Sequence, residues 1–242
     1  MALAMYLIGN WLPDKKAEKG PGRKVVWLAG LTLASSSLSL VLAFTLTLAA
    51  NAVVILSLSP LFAALLSKIF MKEKCPLRTW LSIFVCVGGV FWVMGGSMGH
   101  SNYTGDILAI FSALFVGAYL TFFRRYPTMS RTTVISRGGL LLALITLPIA
   151  TPLQLPWYSY GWLIISGLIQ MPLALLLITL GTRFLPAAEV SLFLLLETVL
   201  APVWVWLILG EVPPASTLTG GGLILMTLIL HSLVSYYQAY SE

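Results

Sequence analysis

Glu197 is the residue whose type and position most invite chemistry. It follows Leu194-Leu195-Leu196 and precedes Thr198-Val199-Leu200, so an ionisable group sits inside an apolar run. A carboxylate at mid-membrane depth costs at least ~2.5 kcal/mol on insertion scales, so it must face a cavity or a partner. That placement suits a site that exchanges a proton or receives a cation. The plain structural alternative is a carboxyl group hydrogen-bonded to a neighbouring helix. Helical spacing puts Glu189, Phe193, Glu197, Leu200 and Trp204 on one face, and residues three and four apart stack on a helix surface. Acid and aromatic groups in one stripe fit an amphipathic solute with a cationic or hydrogen-bonding part. Glu189 also has a simpler reading, as the partner of Arg183. Tyr119 and Gln170 are further cavity candidates, the latter because Pro172 frees a backbone carbonyl nearby. Pro60 and Pro202 can expose carbonyls in the same way.

Other chemistry finds little to build on. Catalysis needs a nucleophile with its base, paired carboxylates, or metal ligands within reach of one another. Cys75, Cys86, His100 and His231 have no such spacing, so no catalytic, metal or cofactor site is expected. Ser35, Ser36, Ser37 and Ser39 read as packing residues, since small hydroxyl side chains let membrane helices approach closely. Gly88-Gly89 and Gly220-Gly221-Gly222 permit tight contacts within the chain or across a homodimer.

The elements that must position these groups follow from composition. Of 242 residues, 59% are hydrophobic and 9% charged, against roughly 25% charged in a soluble domain. Mean hydropathy is +0.95. Such a chain cannot cover a water-facing surface, and its net charge of +6 does not make it a nucleic-acid binder. A spanning helix needs about 20 apolar residues. Run lengths predict an all-α polytopic bundle of about eight spans, at 25–45, 51–71, 78–96, 105–125, 138–156, 159–181, 187–209 and 217–238. A β-barrel would alternate polar and apolar residues, whereas Leu192-Phe193-Leu194-Leu195-Leu196 is continuous. Residues 1–24 form a basic segment with a short apolar stub, Met1 to Leu12.

Charge sets the orientation. Lys15, Lys16, Lys19, Arg23 and Lys24 fall before the first span. Lys68, Lys72, Lys74 and Arg78 fall in one loop, Arg124, Arg125, Arg131 and Arg137 in another, and Arg183 in a third. These are all 14 Lys and Arg, and they lie on one side. Positive charge marks the cytoplasmic face, so both termini are expected there, with anionic lipid headgroups as partners.

An offset of 138 residues brings two stretches into register. Ala49-Ala50-Asn51-Ala52-Val53 falls on Ala187-Ala188-Glu189-Val190-Ser191, Glu73 on Glu211, Pro76 on Pro214 and Thr79 on Thr217. By the loop charges the two copies run in opposite senses, an arrangement that serves alternating access around a midplane site.

Ser57-Leu58-Ser59-Pro60-Leu61-Phe62-Ala63-Ala64-Leu65 with Lys72-Glu73 resembles the first repeat of EamA-like proteins in the drug/metabolite transporter superfamily. Leu185-Pro186-Ala187-Ala188-Glu189-Val190-Ser191, Leu196-Glu197-Thr198-Val199-Leu200-Ala201-Pro202 and Gly210-Glu211 resemble the second. The resemblance implies an incomplete first repeat over 25–104 and a second over 105–242. It implies ten helices where this chain offers three plus five, with Met1 to Leu12 as the end of the second helix. It further implies a secondary transporter, working as an exporter, that moves a small organic metabolite or drug across the bacterial inner membrane, with a proton as a candidate coupling ion. The alternative is a shortened, non-transporting structural or regulatory membrane protein related to such transporters.

Overall fold

The computed structural model describes residues 5, 22–47, 49–73, 75–94, 103–148, 156–209 and 215–241. Most of the basic N-terminal segment, His100 and Glu211 lie outside them. The described residues are mostly helical, with no strand among them. In chain order they form α1 (Arg23–Leu46), α2 (Ala49–Leu56), α3 (Ser59–Met71), α4 (Leu77–Met94), α5 (Tyr103–Arg125) and α6 (Arg131–Thr146). There follow α7 (Trp157–Ile165), a π turn (Ser166–Gln170), α8 (Met171–Gly181), α9 (Ala187–Leu194), α10 (Leu196–Leu209) and α11 (Ala215–Ser241). All backbone pairing is thereby kept within segments, as hydrocarbon surroundings demand.

Three of the predicted spans are not simple helices. The second is cut at Ser57-Leu58, where Leu58 N–H turns back to the Ile55 carbonyl at 3.0 Å and Pro60 enters at the start of α3. Proline cannot donate to the carbonyl four residues earlier, so the helix must restart. The sixth widens into the π turn just before Pro172, with Met171 N–H reaching the Ser166 carbonyl. The seventh is cut at Leu195, whose N–H bonds the Leu192 carbonyl at 3.1 Å. That break lies seven residues before Pro202, the residue expected to kink this span.

The fifth span differs from expectation in position. It was expected at 138–156 but α6 begins at Arg131, where Ser130 Oγ accepts from Thr133 N–H at 3.4 Å. Arg131 is consequently buried instead of lying in a loop. Its Nε donates to the Thr179 carbonyl of α8 at 3.0 Å, and its guanidinium lies 5.7 Å from the Phe123 ring centre. Among the described residues, Arg23–Leu46, Asn51–Met71, Tyr103–Arg125 and Ser159–Gly181 are long and apolar enough to cross a membrane. Leu77–Trp92 and Leu218–Val234 are shorter apolar helices.

Helix α5 is central, packing on α1, α2, α3 and α9, while α4 pairs with α11 and α6 lies against α1 and α8. Small residues set these approaches. A Cβ on Gly138 would stand 2.9 Å from the Gly30 carbonyl oxygen, and one on Gly117 would stand 2.7 Å from the Ala63 nitrogen. Gly89 meets Ile224 and the Gly220 carbonyl of α11, so it works within the chain, while Gly88 borders open space. Membrane helices associate by such close contact because lipid offers no hydrophobic drive between them.

Candidate functional site

Helices α9 and α10 carry the candidate residues. Phe193, Leu194, Glu197, Leu200 and Trp204 line one open cavity of about 420 Å³. Their spacing of three and four residues spans the break at Leu195, so the cavity joins the two half-helices. Glu197 lies in the first turn of α10 and is exposed, as is Trp204, while Phe193 is half-buried. A carboxylate flanked by two aromatic rings offers an ammonium group both charge and a π face.

Tyr119 of α5 is buried, and the Glu197 charge acts on it. It is not among the cavity's lining residues. Gln170 is exposed in the π turn of another span and does not join this group. The structure therefore brings together Phe193, Glu197 and Trp204, sets Tyr119 within electrostatic reach, and leaves Gln170 apart.

Glu189 departs from the stripe. It is 4% exposed and turned into the bundle, and its ion-pair partner is His231 of α11, with Oε1 and Nε2 3.4 Å apart, where sequence spacing pointed to Arg183. His231 Nδ1 lies 3.2 Å from Ser82 Oγ of α4, so the cluster ties three helices. Nearby, Ser191 Oγ donates to Ser59 Oγ at 3.0 Å, joining α9 to α3. Sequence reading treated His231 as isolated because its partners lie 42 and 149 positions away. The available signal was its type, since an ionisable residue inside an apolar span is a functional candidate in its own right.

A smaller cavity of about 50 Å³ adjoins Glu189 and is also lined by Ser67, Glu73, Cys75 and Thr79. Glu73 is held by Arg124 of α5 at 3.1 Å. Among the described residues no cluster of His, Cys, Asp or Glu is arranged to hold a metal ion.

The family model for EamA-like transporters matches residues 1–95 and again 103–233. The chain belongs to the EamA-like transporter family. Among curated relatives, the uncharacterized transporter YdfC of Bacillus subtilis is 28% identical over 170 residues, covering 67% of this chain and 56% of its own length. A probable terminal-alkyne amino-acid exporter of Streptantibioticus cattleyicolor is 28% identical over 197 residues, covering 72% and 61%. The pseudopaline exporter CntI of Pseudomonas aeruginosa is 27% identical over 188 residues, covering 74% and 64%. The chain thus spans about three-fifths of the length of these relatives. A solved crystal structure shares the fold with a TM-score of 0.82 at 16% identity, over 98% of this chain and 85% of that one. Together with the apolar helices, membership of the EamA-like family makes this an integral membrane protein.

Proposed function

We propose that the chain is a secondary transporter that exports a small amine-bearing metabolite across the bacterial inner membrane by alternating access. The observation that carries this reading is the open cavity in which Glu197 lies between Phe193 and Trp204. An ammonium group there meets a carboxylate and two aromatic faces, while the apolar remainder of the solute contacts Leu194 and Leu200. The exporters among the relatives, one of them of an amino acid, support this substrate class.

The inverted repeat supplies the mechanical part of the proposal. The 138-residue offset carries Ser57 onto Leu195, so both copies break their helix at the same register. It also carries Asn51 onto Glu189, and both are buried polar residues. Matching half-helices of opposite sense can exchange roles as the cavity opens to one side and then the other. Both termini face the cytoplasm in this scheme.

The test is a comparison of secreted amines. Cells expressing the wild type should accumulate at least one primary-amine metabolite in the medium several-fold above cells carrying an empty vector, read by mass spectrometry after amine tagging. Glu197→Gln should remove that excess at equal membrane abundance. Identical amine profiles for wild type and empty vector would overturn the transporter reading, and an unchanged excess in the variant would overturn the role of Glu197.

A further inference from the structure

The Glu189–His231–Ser82 cluster lies apart from the Glu197 cavity and has no role in the recognition chemistry. We propose that Glu189 and His231 hold one exchangeable proton between them and form the proton-coupling site of this chain. The inference deepens the transporter reading and rests on it for its purpose, though not for the proton site itself.

The argument begins with burial. Glu189 is 4% exposed and His231 5%. With one proton shared, the two groups are together neutral, as imidazolium and carboxylate. With none they carry one net negative charge among apolar helices. An uncompensated buried charge is strongly disfavoured, so loading and release of the proton change the balance of forces on α9, α4 and α11.

Ser82 is chemically fitted to such a change. A hydroxyl both donates and accepts. When the imidazole is neutral with its proton on Nε2, Ser82 O–H donates to Nδ1. When both ring nitrogens are protonated, Nδ1–H donates to Ser82 Oγ. The 3.2 Å contact is satisfied in either state. Nε2 lies 3.4 Å from Glu189 Oε1 but closes no hydrogen bond among the described residues, beyond the about 2.7–3.2 Å of a relaxed N–H···O bond, so the pair is held by proximity and charge alone.

A proton also needs a way in. The 50 Å³ cavity reaches from Glu189 to Glu73 at the end of α3, and a site of that size accommodates water. Three polar atoms of its lining residues, Ser67 Oγ, Glu73 Oε2 and Thr79 Oγ1, are buried with no hydrogen-bond partner among the described residues, and Ser67 is only 5% exposed. These atoms suit a hydrated relay between the loop and Glu189. The other charged groups on this side are Glu73, engaged by Arg124 of α5, and Cys75 before α4, whose thiol feels the charges of Glu189 and Glu73. Glu197 of α10 lines the open cavity instead. His231 is the basic group set directly against Glu189.

The consequence for transport lies in the broken helix. Glu189 is on α9 and Glu197 on α10, either side of Leu195. Eight residues separate them, about 12 Å along a helix at 1.5 Å per residue. Protonation of the pair acts on one half of the span while solute acts on the other.

The test uses the full chain in lipid nanodiscs with [15N]histidine. The sequence has two histidines, so His100→Gln leaves His231 as the sole reporter. The ring signals should respond to pH, and Glu189→Gln should displace that response measurably, while Glu197→Gln leaves it in place. In the same samples, spin labels at Phe184 and Leu233 should show a distance change between pH 5.5 and 8.5. Glu189→Gln and His231→Gln should each abolish it. A His231 response indifferent to Glu189→Gln, or a distance change that survives both variants, would overturn the proposal. Should one variant fail to insert, the other and the wild-type titration still decide. Neither readout needs a transported solute, so failure here is distinct from failure of the amine-export test.

Discussion

At the scale of single residues, the cavity stripe was readable because its logic is local. Phe193, Glu197 and Trp204 follow one another at helical spacing, and the break at Leu195 does not scatter them. The Glu189–His231 pair was unreadable for the opposite reason. Its members meet only after α11 packs against α4 and α10, a contact that no spacing rule encodes. Glu189 also bears on Cys75, in the loop between α3 and α4. Burial pushes the Cys75 thiol above its ordinary value; the neighbouring Thr79 side chain opposes this, and the charges of Glu189 and Glu73 add to it. A raised thiol has less reactive thiolate at a given pH. Alkylation of Cys75 by iodoacetamide at pH 7.5 should therefore run several-fold slower than that of free cysteine, gaining speed only as pH rises. Removing a negative charge with Glu189→Gln lowers the thiol again and should accelerate labelling. Mass spectrometry of the labelled chain checks this, with Cys86 silent because it is buried in α4. A wild-type rate equal to that of free cysteine would contradict it.

Among elements, the existence of spans was legible and their interruptions were not. Hydrophobic run length sees 187–209 as one stretch, yet α9 and α10 part at Leu195, where no proline or glycine marks the chain. The first break is better advertised, with Pro60 three residues beyond Ser57. The start of α6 was missed because Arg131 and Arg137 look like loop cations. Arg137 is in fact accommodated over the Trp27 ring, 4.9 Å from its centre, while Arg131 is held by the Thr179 carbonyl. Close helix crossings lead to a paired prediction. Gly117→Leu forces a side chain against the Ala63 backbone, and overpacking of this kind costs about 1–3 kcal/mol. Gly88→Leu meets open space and should be tolerated. Thermal denaturation in detergent, followed by size-exclusion chromatography, should show a lower melting temperature for the first variant alone. Equal damage from both would disprove the close approach of α5 to α3.

For the molecule as a whole, 9% charge was sufficient to identify a membrane protein, and unbroken apolar runs such as Leu192–Leu196 made it helical. Placement of that charge leads to a topological prediction. Fluorescent protein fused after Glu242 should fold and fluoresce in the cytoplasm, whereas alkaline phosphatase at the same point should be inactive; active phosphatase there would refute the orientation. The buried pair bears, finally, on how the molecule is made. Synthesis proceeds from the N-terminus, so the segment bearing Glu189 leaves the ribosome while His231 is still untranslated. Until the last helix arrives, that carboxylate has no imidazole to meet. Docking of α11 against α4 thus also brings an imidazole to a carboxylate laid down 42 residues earlier, so the pair can form only after that helix has been made.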